Sequence, residues 1–345
     1  IENQDGEWVI SNNVTTLSLE HKMGLHGSPT AVMDYKNSKG WIVGEKNQGL
    51  SAMFTMMNNA RLGVGVEGLS QCELATQKAI FYAKNRKQGK SNIKNPEGSI
   101  IDHADVRRNL LTMKSVTSAV RALCLDTAVS LDLSRLKDES MKKFHSSRAA
   151  FLIPVAKAFS TEMGCELADI AIQVHGGMGY IEETGIAQVY RDVRVTAIYE
   201  GTNGIQAMDL VGRKLLDKGK VAFQILDEIN QTVKEAMSQA HPDMIEMGKK
   251  LDQNSDIFRN TLDWMLSRKG TNERYAGSMP FLRAIGYLLG GHYLLKAAIS
   301  SSDDEWRALS KFYVSNLLER AAMNSKIACC EPESLYDFDK KIFGS

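Results

Sequence analysis

The spacing of apolar positions changes once along the chain. Up to about residue 45 it has a period of two: Thr15, Leu17 and Leu19 alternate with Thr16, Ser18 and Glu20, and turn-forming runs from Gly24 to Pro29 and from Asn37 to Gly40 punctuate the rest of this stretch. This predicts short strands and turns over residues 7–45. Two or three strands make no stable sheet alone, so residues 1–45 read as the end of a β-domain. From Gly49 the period becomes 3.6, with Leu50, Met53, Met57, Ala60 and Val64 continuing through Leu69, Leu74 and Ile80 to Tyr82. That pattern predicts one long helix, closed by a polar loop from Gly89 to Gly98. A second helix carries Val106, Leu110, Met113, Val120, Cys124 and Thr127 on one face. A third, after Pro154, carries Val155, Phe159, Met163, Leu167, Ile170 and Val174, because proline fits an early turn or a kink better than a helix interior. A fourth starts near Gly201 and Thr202 and runs towards Leu216.

Four amphipathic helices joined by polar turns predict an antiparallel four-helix bundle over residues 46–215. Four further stripes come after it: Phe223 to Met237, Phe258 to Met265, Leu282 to Leu289, and Trp306 through Leu309, Phe312 and Leu317 to Ala321. They predict an additional helical domain over 216–345, with no repeated motif to support a solenoid. The fold class is mainly α.

Composition narrows the function. The chain has 345 residues, enough for about two domains, and 42 basic against 41 acidic side chains. A balanced charge provides no field for nucleic acid or an anionic membrane. The five cysteines form no CxxC pair and no metal-like spacing with histidine, which suits a reducing cytoplasm. No apolar run approaches the roughly 18–20 residues that cross a bilayer, so no membrane insertion is expected.

Two stretches carry candidate chemistry. In Ile198-Tyr199-Glu200-Gly201-Thr202 a glutamate stands between an aromatic and a glycine where an apolar run opens a helix. Burial would raise its pKa to roughly 6–7 and make it a base; a helix-start glutamate facing water is the plain alternative. In Gln173-Val174-His175-Gly176-Gly177-Met178-Gly179 a helix precedes the glycines, so they read first as a helix terminus and tight turn. Arg86-Lys87-Gln88-Gly89 reads by itself as a basic helix cap. Arg61, beside Asn58 and Asn59, is either buried and in need of a partner or part of a polar surface stripe. Arg191, Asp192 and Arg194 read as an ion-pair group bracing the segment that leads to Glu200.

Together these motifs resemble, in order and spacing over residues 15–215, the acyl-CoA dehydrogenases, and most of all the larger bacterial members with an extra C-terminal domain. Some of those act on 3-methylmercaptopropionyl-CoA and others on fatty acyl-CoA. The resemblance implies that Glu200 removes the α-proton of an acyl-CoA thioester while the β-hydride passes to FAD, giving a trans-2-enoyl-CoA. It places Arg86, Gln88, His103, Gln173, Gly177 and Thr202 at FAD, with Arg86 reaching the cofactor of a neighbouring subunit. It places Asn58, Arg61, Tyr199 and Gly201 at the substrate. Electron-transfer flavoprotein is the implied acceptor, and a homodimer or homotetramer the implied assembly. The family's N-terminal helical domain and early strands have no counterpart before Ile1, so the expectation is a C-terminal fragment that folds but holds FAD weakly or not at all. A helical interaction module of the same fold without catalysis is the alternative.

Overall fold

The computed structural model describes residues 12–90, 98–338, 342 and 344. Residues 7–11 of the expected strand region and 91–97 of the expected loop lie outside that set, as does the side chain of Asn58. The chain divides into one unit that ends at Met57 and another that begins at Asn58.

In the first unit β1 (Val14–Leu19) and β2 (Ala31–Tyr35) pair antiparallel, from Val14 opposite Tyr35 to Leu19 opposite Ala31, with a bulge between Thr16 and Ser18. The period of two does mark strands. Leu17, Leu19, Val32 and Tyr35 nevertheless stay exposed, so main-chain pairing holds this hairpin rather than a buried apolar face.

The second unit is built on three long helices: α1 (Gly49–Asn85), which enters it at Asn58, α2 (Ala104–Leu133) and α3 (Glu139–His175). A Cβ on Gly65 would touch Ala156 and one on Gly68 would touch Ser160, so α1 and α3 run parallel in close contact. The five-residue connection between α2 and α3 makes those two antiparallel, and Thr76 on α1 meets Thr117 on α2 at 3.1 Å. The short α4 (Ile186–Val193) and α5 (Asn203–Asp209) complete the bundle against α3. The approach at Gly68 constrains it closely: a methyl group there would lie 2.7 Å from the backbone oxygen of Ser160, an atom that moves only if a whole helix moves. Gly68→Ala is therefore expected to destabilise the fold by about 1–3 kcal/mol. A denaturation midpoint equal to that of the parent protein would contradict this packing.

One expectation about the bundle helices is corrected. The third helix begins at Glu139, not after Pro154; the Asp138 side chain caps it by accepting from Met141 N at 2.9 Å. Pro154 sits inside the helix, where every residue from Phe151 to Thr161 is buried. Tertiary packing on all sides outweighs the one hydrogen bond that proline removes. The fourth helix starts after Thr202 and runs towards Leu216 as expected, α-helical over Asn203–Asp209 and π-helical over Leu210–Lys214.

After it come α6 (Lys220–Met237), α7 (Pro242–Ser267), α8 (Thr271–Ala276), α9 (Ser278–Ser300), α10 (Asp304–Asn316), α11 (Glu319–Ala328) and α12 (Glu333–Tyr336). The apolar stripe from Trp306 to Ala321 is two helices, since the chain turns at Leu317 and Leu318, whose N–H groups share the Tyr313 carbonyl. Helix α9 is buried nearly all round, and its Gly286 and Gly290 let it lie against Phe159 and Tyr313. A polar cluster ties the C-terminal helices to the bundle. Arg148 on α3 donates to Asp126 on α2 at 2.7 Å and to Glu228 on α6 at 2.5 Å, and Tyr293 on α9 donates to Asp126 at 2.6 Å. Among the described residues no helix is long and apolar enough to cross a membrane, and no group of histidine, cysteine and carboxylate side chains is placed to hold a metal ion.

Candidate active site

The segment from Ile198 to Thr202 is a tight connection between a 3-10 turn, Arg194–Ala197, and α5. Glu200 has φ +54° and Gly201 φ +85°, two successive left-handed residues. Gly201 suits that conformation, and a Cβ on it would also meet Gln206 Nε2 at 3.0 Å. For a glutamate the conformation costs on the order of 1 kcal/mol and persists only where the surroundings impose it. Here they do. Lys157, fully buried on α3, donates to Gly201 O and to Asn203 Oδ1, both at 2.9 Å. Buried Gln206 donates to Glu200 O at 3.2 Å and to Gly201 O at 3.4 Å. Asn203 is fixed in turn by donating to Ala158 O at 3.1 Å and to Thr161 Oγ1 at 3.0 Å. Thr202 caps α5, accepting from Ile205 N at 3.3 Å.

Glu200 is half-buried, not enclosed as the sequence led us to expect. The buried polar groups beneath it bind its main chain and that of Gly201, which leaves the side chain at the outer layer of the unit. Among the described residues its carboxylate has no hydrogen-bond or salt-bridge partner. Tyr199 is also half-buried and donates its hydroxyl to Glu67 on α1. Burial, that hydrogen bond and the charges of Glu67 and Glu200 push its pKa up.

Arg61 is buried, which resolves its two sequence readings: it pairs with Asp209 on α5 at 3.4 Å, and Asp209 also accepts from Arg213 Nε at 2.5 Å. Its Nε is buried without a partner among the described residues, and Arg61 Nη2 would lie 3.9 Å from a Cβ on Gly201. Arg61 therefore belongs beside the Glu200 segment. Lys157 stands near both charges. Burial first, then Arg61, lower its pKa to about 8 against the opposing pull of Glu200. Lys157, Gln206 and Asp209 were not singled out from the sequence. A lysine between Ala156 and Ala158 on the apolar face of a helix was the available signal, since such a charge requires partners.

Arg86, Gln88 and Gly177 meet elsewhere, in a cleft of about 280 Å³ that Tyr82, Val174, His175 and Gly176 also line. His103 closes its rim by a 2.7 Å contact from Nε2 to Gln88 O, and Ile100 N donates to Arg86 O at 2.8 Å. His175 is packed, stacked on Tyr82 with ring centroids 4.4 Å apart and donating Nδ1–H to Ala171 O at 2.7 Å; burial lowers its pKa. Gln173 is exposed at the end of α3. Lys157 and His175 are eighteen residues apart on that helix, about 27 Å at 1.5 Å per residue. One chain thus separates the residues expected at FAD into two groups, with Thr202 at one end and Arg86, Gln88, His103, Gln173 and Gly177 at the other.

A larger cleft of about 670 Å³ lies beside the Glu200 segment, lined by Ile198, Thr202, Asn203 and Gly204, by Glu162, Cys165 and Glu166 of α3, and by residues of α9 and α11. Glu200 is not among its lining residues. Arg194 faces this cleft. Arg191 pairs with Glu182 through contacts of 2.8 and 2.7 Å, so a brace before Glu200 runs to the preceding turn.

Comparison with known proteins places this arrangement. Residues 47–216 match the family model "Acyl-CoA dehydrogenase, C-terminal domain", and residues 225–339 match "Acetyl-CoA dehydrogenase C-terminal like". The 3-methylmercaptopropionyl-CoA dehydrogenase of Ruegeria pomeroyi is 43% identical over 303 residues, which cover 86% of this chain and 51% of that protein. Two solved structures share the fold. Caenorhabditis elegans ACDH-11 in complex with C11-CoA has a TM-score of 0.74 at 18% identity, over 99% of this chain and 56% of that one. An acyl-CoA dehydrogenase from Bacillus anthracis complexed with FAD has a TM-score of 0.73 at 19% identity, over 94% and 59%. The chain spans about half the length of the curated relatives it matches. With two matched family segments, and close identity to a curated member across most of its length, the chain belongs to the acyl-CoA dehydrogenase family.

Proposed function

We propose that this chain carries the base and part of the cofactor surface of a flavin-dependent acyl-CoA dehydrogenase, converting an acyl-CoA to its trans-2-enoyl-CoA. One observation carries the reading: a carboxylate, Glu200, unpaired among the described residues, on a left-handed main chain that a fully buried lysine and a buried glutamine hold in place. A carboxylate with no partner is free to accept a proton, and a fixed backbone provides the orientation that proton transfer needs. The Glu200 N–H serves as one donor to the thioester oxygen, where charge develops as the α-proton leaves. Arg61, Tyr199, Gly201 and Asn58 form the substrate side. Residues 46–215 act as the catalytic bundle and 216–345 as an added helical domain.

The residues present fit FAD. The cleft at Arg86 has an arginine and exposed glycine backbone and, among the described residues, no carboxylate in its lining, a donor set suited to a pyrophosphate. Arg86 and Gly177 would hold that part, with Gln88, His103 and Gln173 around it. Bound FAD supplies the two-electron acceptor that protein side chains lack. Thr202, about 27 Å from that cleft along α3, serves a cofactor held mainly by the other copy's Arg86 group, and the assembly is then at least a homodimer. Arg86→Ala is expected to weaken FAD binding by about tenfold or more, read by equilibrium dialysis; unchanged retention would remove the arginine from the cofactor site. Electron-transfer flavoprotein takes the electrons onward, in the cytoplasm.

The test is to assay the flavin-loaded, full-length gene product against a panel of acyl-CoAs that includes 3-methylmercaptopropionyl-CoA and straight-chain esters. Bleaching of the flavin with stoichiometric enoyl-CoA is the expected result. No bleaching with any ester would reject the reading.

A further inference from the structure

We infer that Lys157, together with Gln206, is a positioning residue for the base: the two hold the Glu200–Gly201 main chain in its left-handed turn and thereby set where the carboxylate stands. The inference rests on the reading of Glu200 as the base.

The geometry is specific. Glu200 is in a conformation that a glutamate adopts only under constraint. Its own carbonyl oxygen and that of Gly201 are the acceptors for Gln206 Nε2, and the Gly201 oxygen is also the acceptor for Lys157 Nζ. Lys157 is locked by its second bond, to Asn203 Oδ1, whose amide is fixed by Ala158 and Thr161. The ammonium has no solvent exposure, so both bonds form away from competing water. Burying a lysine carries a large solvation cost, yet an apolar residue of similar length would pack here if filling space were the only requirement. A buried charge directed at the backbone of the base segment, on the middle of a buried bundle helix, gives that segment a rigid reference. The lowering of the Lys157 pKa to about 8 agrees with this burial.

The experiment uses the flavin-loaded, full-length protein with acyl-CoA as substrate. Lys157→Met is expected to lower kcat on the order of 10²-fold, the effect of roughly 1 Å of displacement of a reacting group, with KM little changed. With α-deuterated acyl-CoA its kinetic isotope effect should exceed that of the parent enzyme, because proton removal has become the slow step. Loss of folded protein alone would lower the rate and leave the isotope effect where it was. If Lys157→Met does not fold, Gln206→Met decides: roughly tenfold lower kcat with a raised isotope effect supports the inference, and parental values overturn it. Likewise a folded Lys157→Met protein with parental kcat and isotope effect overturns it. Glu200→Gln runs alongside. If Glu200→Gln is fully active, the reading of the base fails; if it is inactive while Lys157→Met keeps the parental rate, only the positioning role fails.

Discussion

Replacing Glu200 by glutamine is expected to slow acyl-CoA-dependent flavin reduction by about 10²–10⁴-fold while leaving the melting temperature and acyl-CoA binding close to those of the parent. The size follows from removing a positioned base. The specificity follows from the structure around it. Glutamine is nearly isosteric, the bonds from Lys157 and Gln206 go to main-chain oxygens that the substitution leaves alone, and among the described residues the carboxylate has no partner to orphan. Glu200 also supports the charged form of Lys157, so the substitution should move that lysine still further below about 8. Stopped-flow absorbance of the flavin reads the rate. Parental speed in the Glu200→Gln protein would remove the base from this position.

Acid is expected to weaken the helical unit by on the order of 3 kcal/mol between pH 7 and pH 4 through one side chain, His292. It is buried on α9, its Nδ1 has no partner among the described residues, and burial, reinforced by Lys296, holds its pKa down to about 3. Arg148 on α3 also opposes its charging, Asp126 on α2 favours it, and Glu228 on α6 is bound to Arg148. In the unfolded chain the ring titrates near 6.5. Between those values the unfolded state binds the proton and the folded state does not, so stability rises with pH there. The contribution is complete above pH 6.5 and is lost as pH falls towards 3. Urea denaturation of the parent and of His292→Leu over this range should show a much shallower pH dependence in the variant. Identical pH dependences would show that other groups control acid sensitivity.

Much of this architecture was legible from the chain alone because its signals are long. The 3.6-residue stripe from Leu50 to Tyr82 extends over roughly nine turns and has one interpretation. Errors fell where local chemistry and tertiary packing disagree. Pro154 reads as a helix start, but its surroundings are buried all round and the helix continues through it. The break between α10 and α11 falls at Leu317 and Leu318, where neither glycine nor proline marks it. At the site, the Glu200 string was recognisable by its order of residues. Its support was not. Lys157 is 43 residues away in sequence, and Arg61 is joined to Asp209 across 148 residues, distances over which periodicity is silent. The expected burial of Glu200 was too strong, because an aromatic and a glycine on either side say nothing of the lysine and glutamine that hold the backbone from within.

The central claim is that Glu200 takes the α-proton, and proton exchange tests it without requiring turnover. Full-length protein with its flavin kept reduced, so that no net oxidation occurs, would be incubated with a saturated acyl-CoA in D2O and the ester analysed by mass spectrometry. Enzyme-dependent gain of deuterium at the α-carbon, lost in Glu200→Gln, is the predicted result; equal exchange by the two proteins would contradict it.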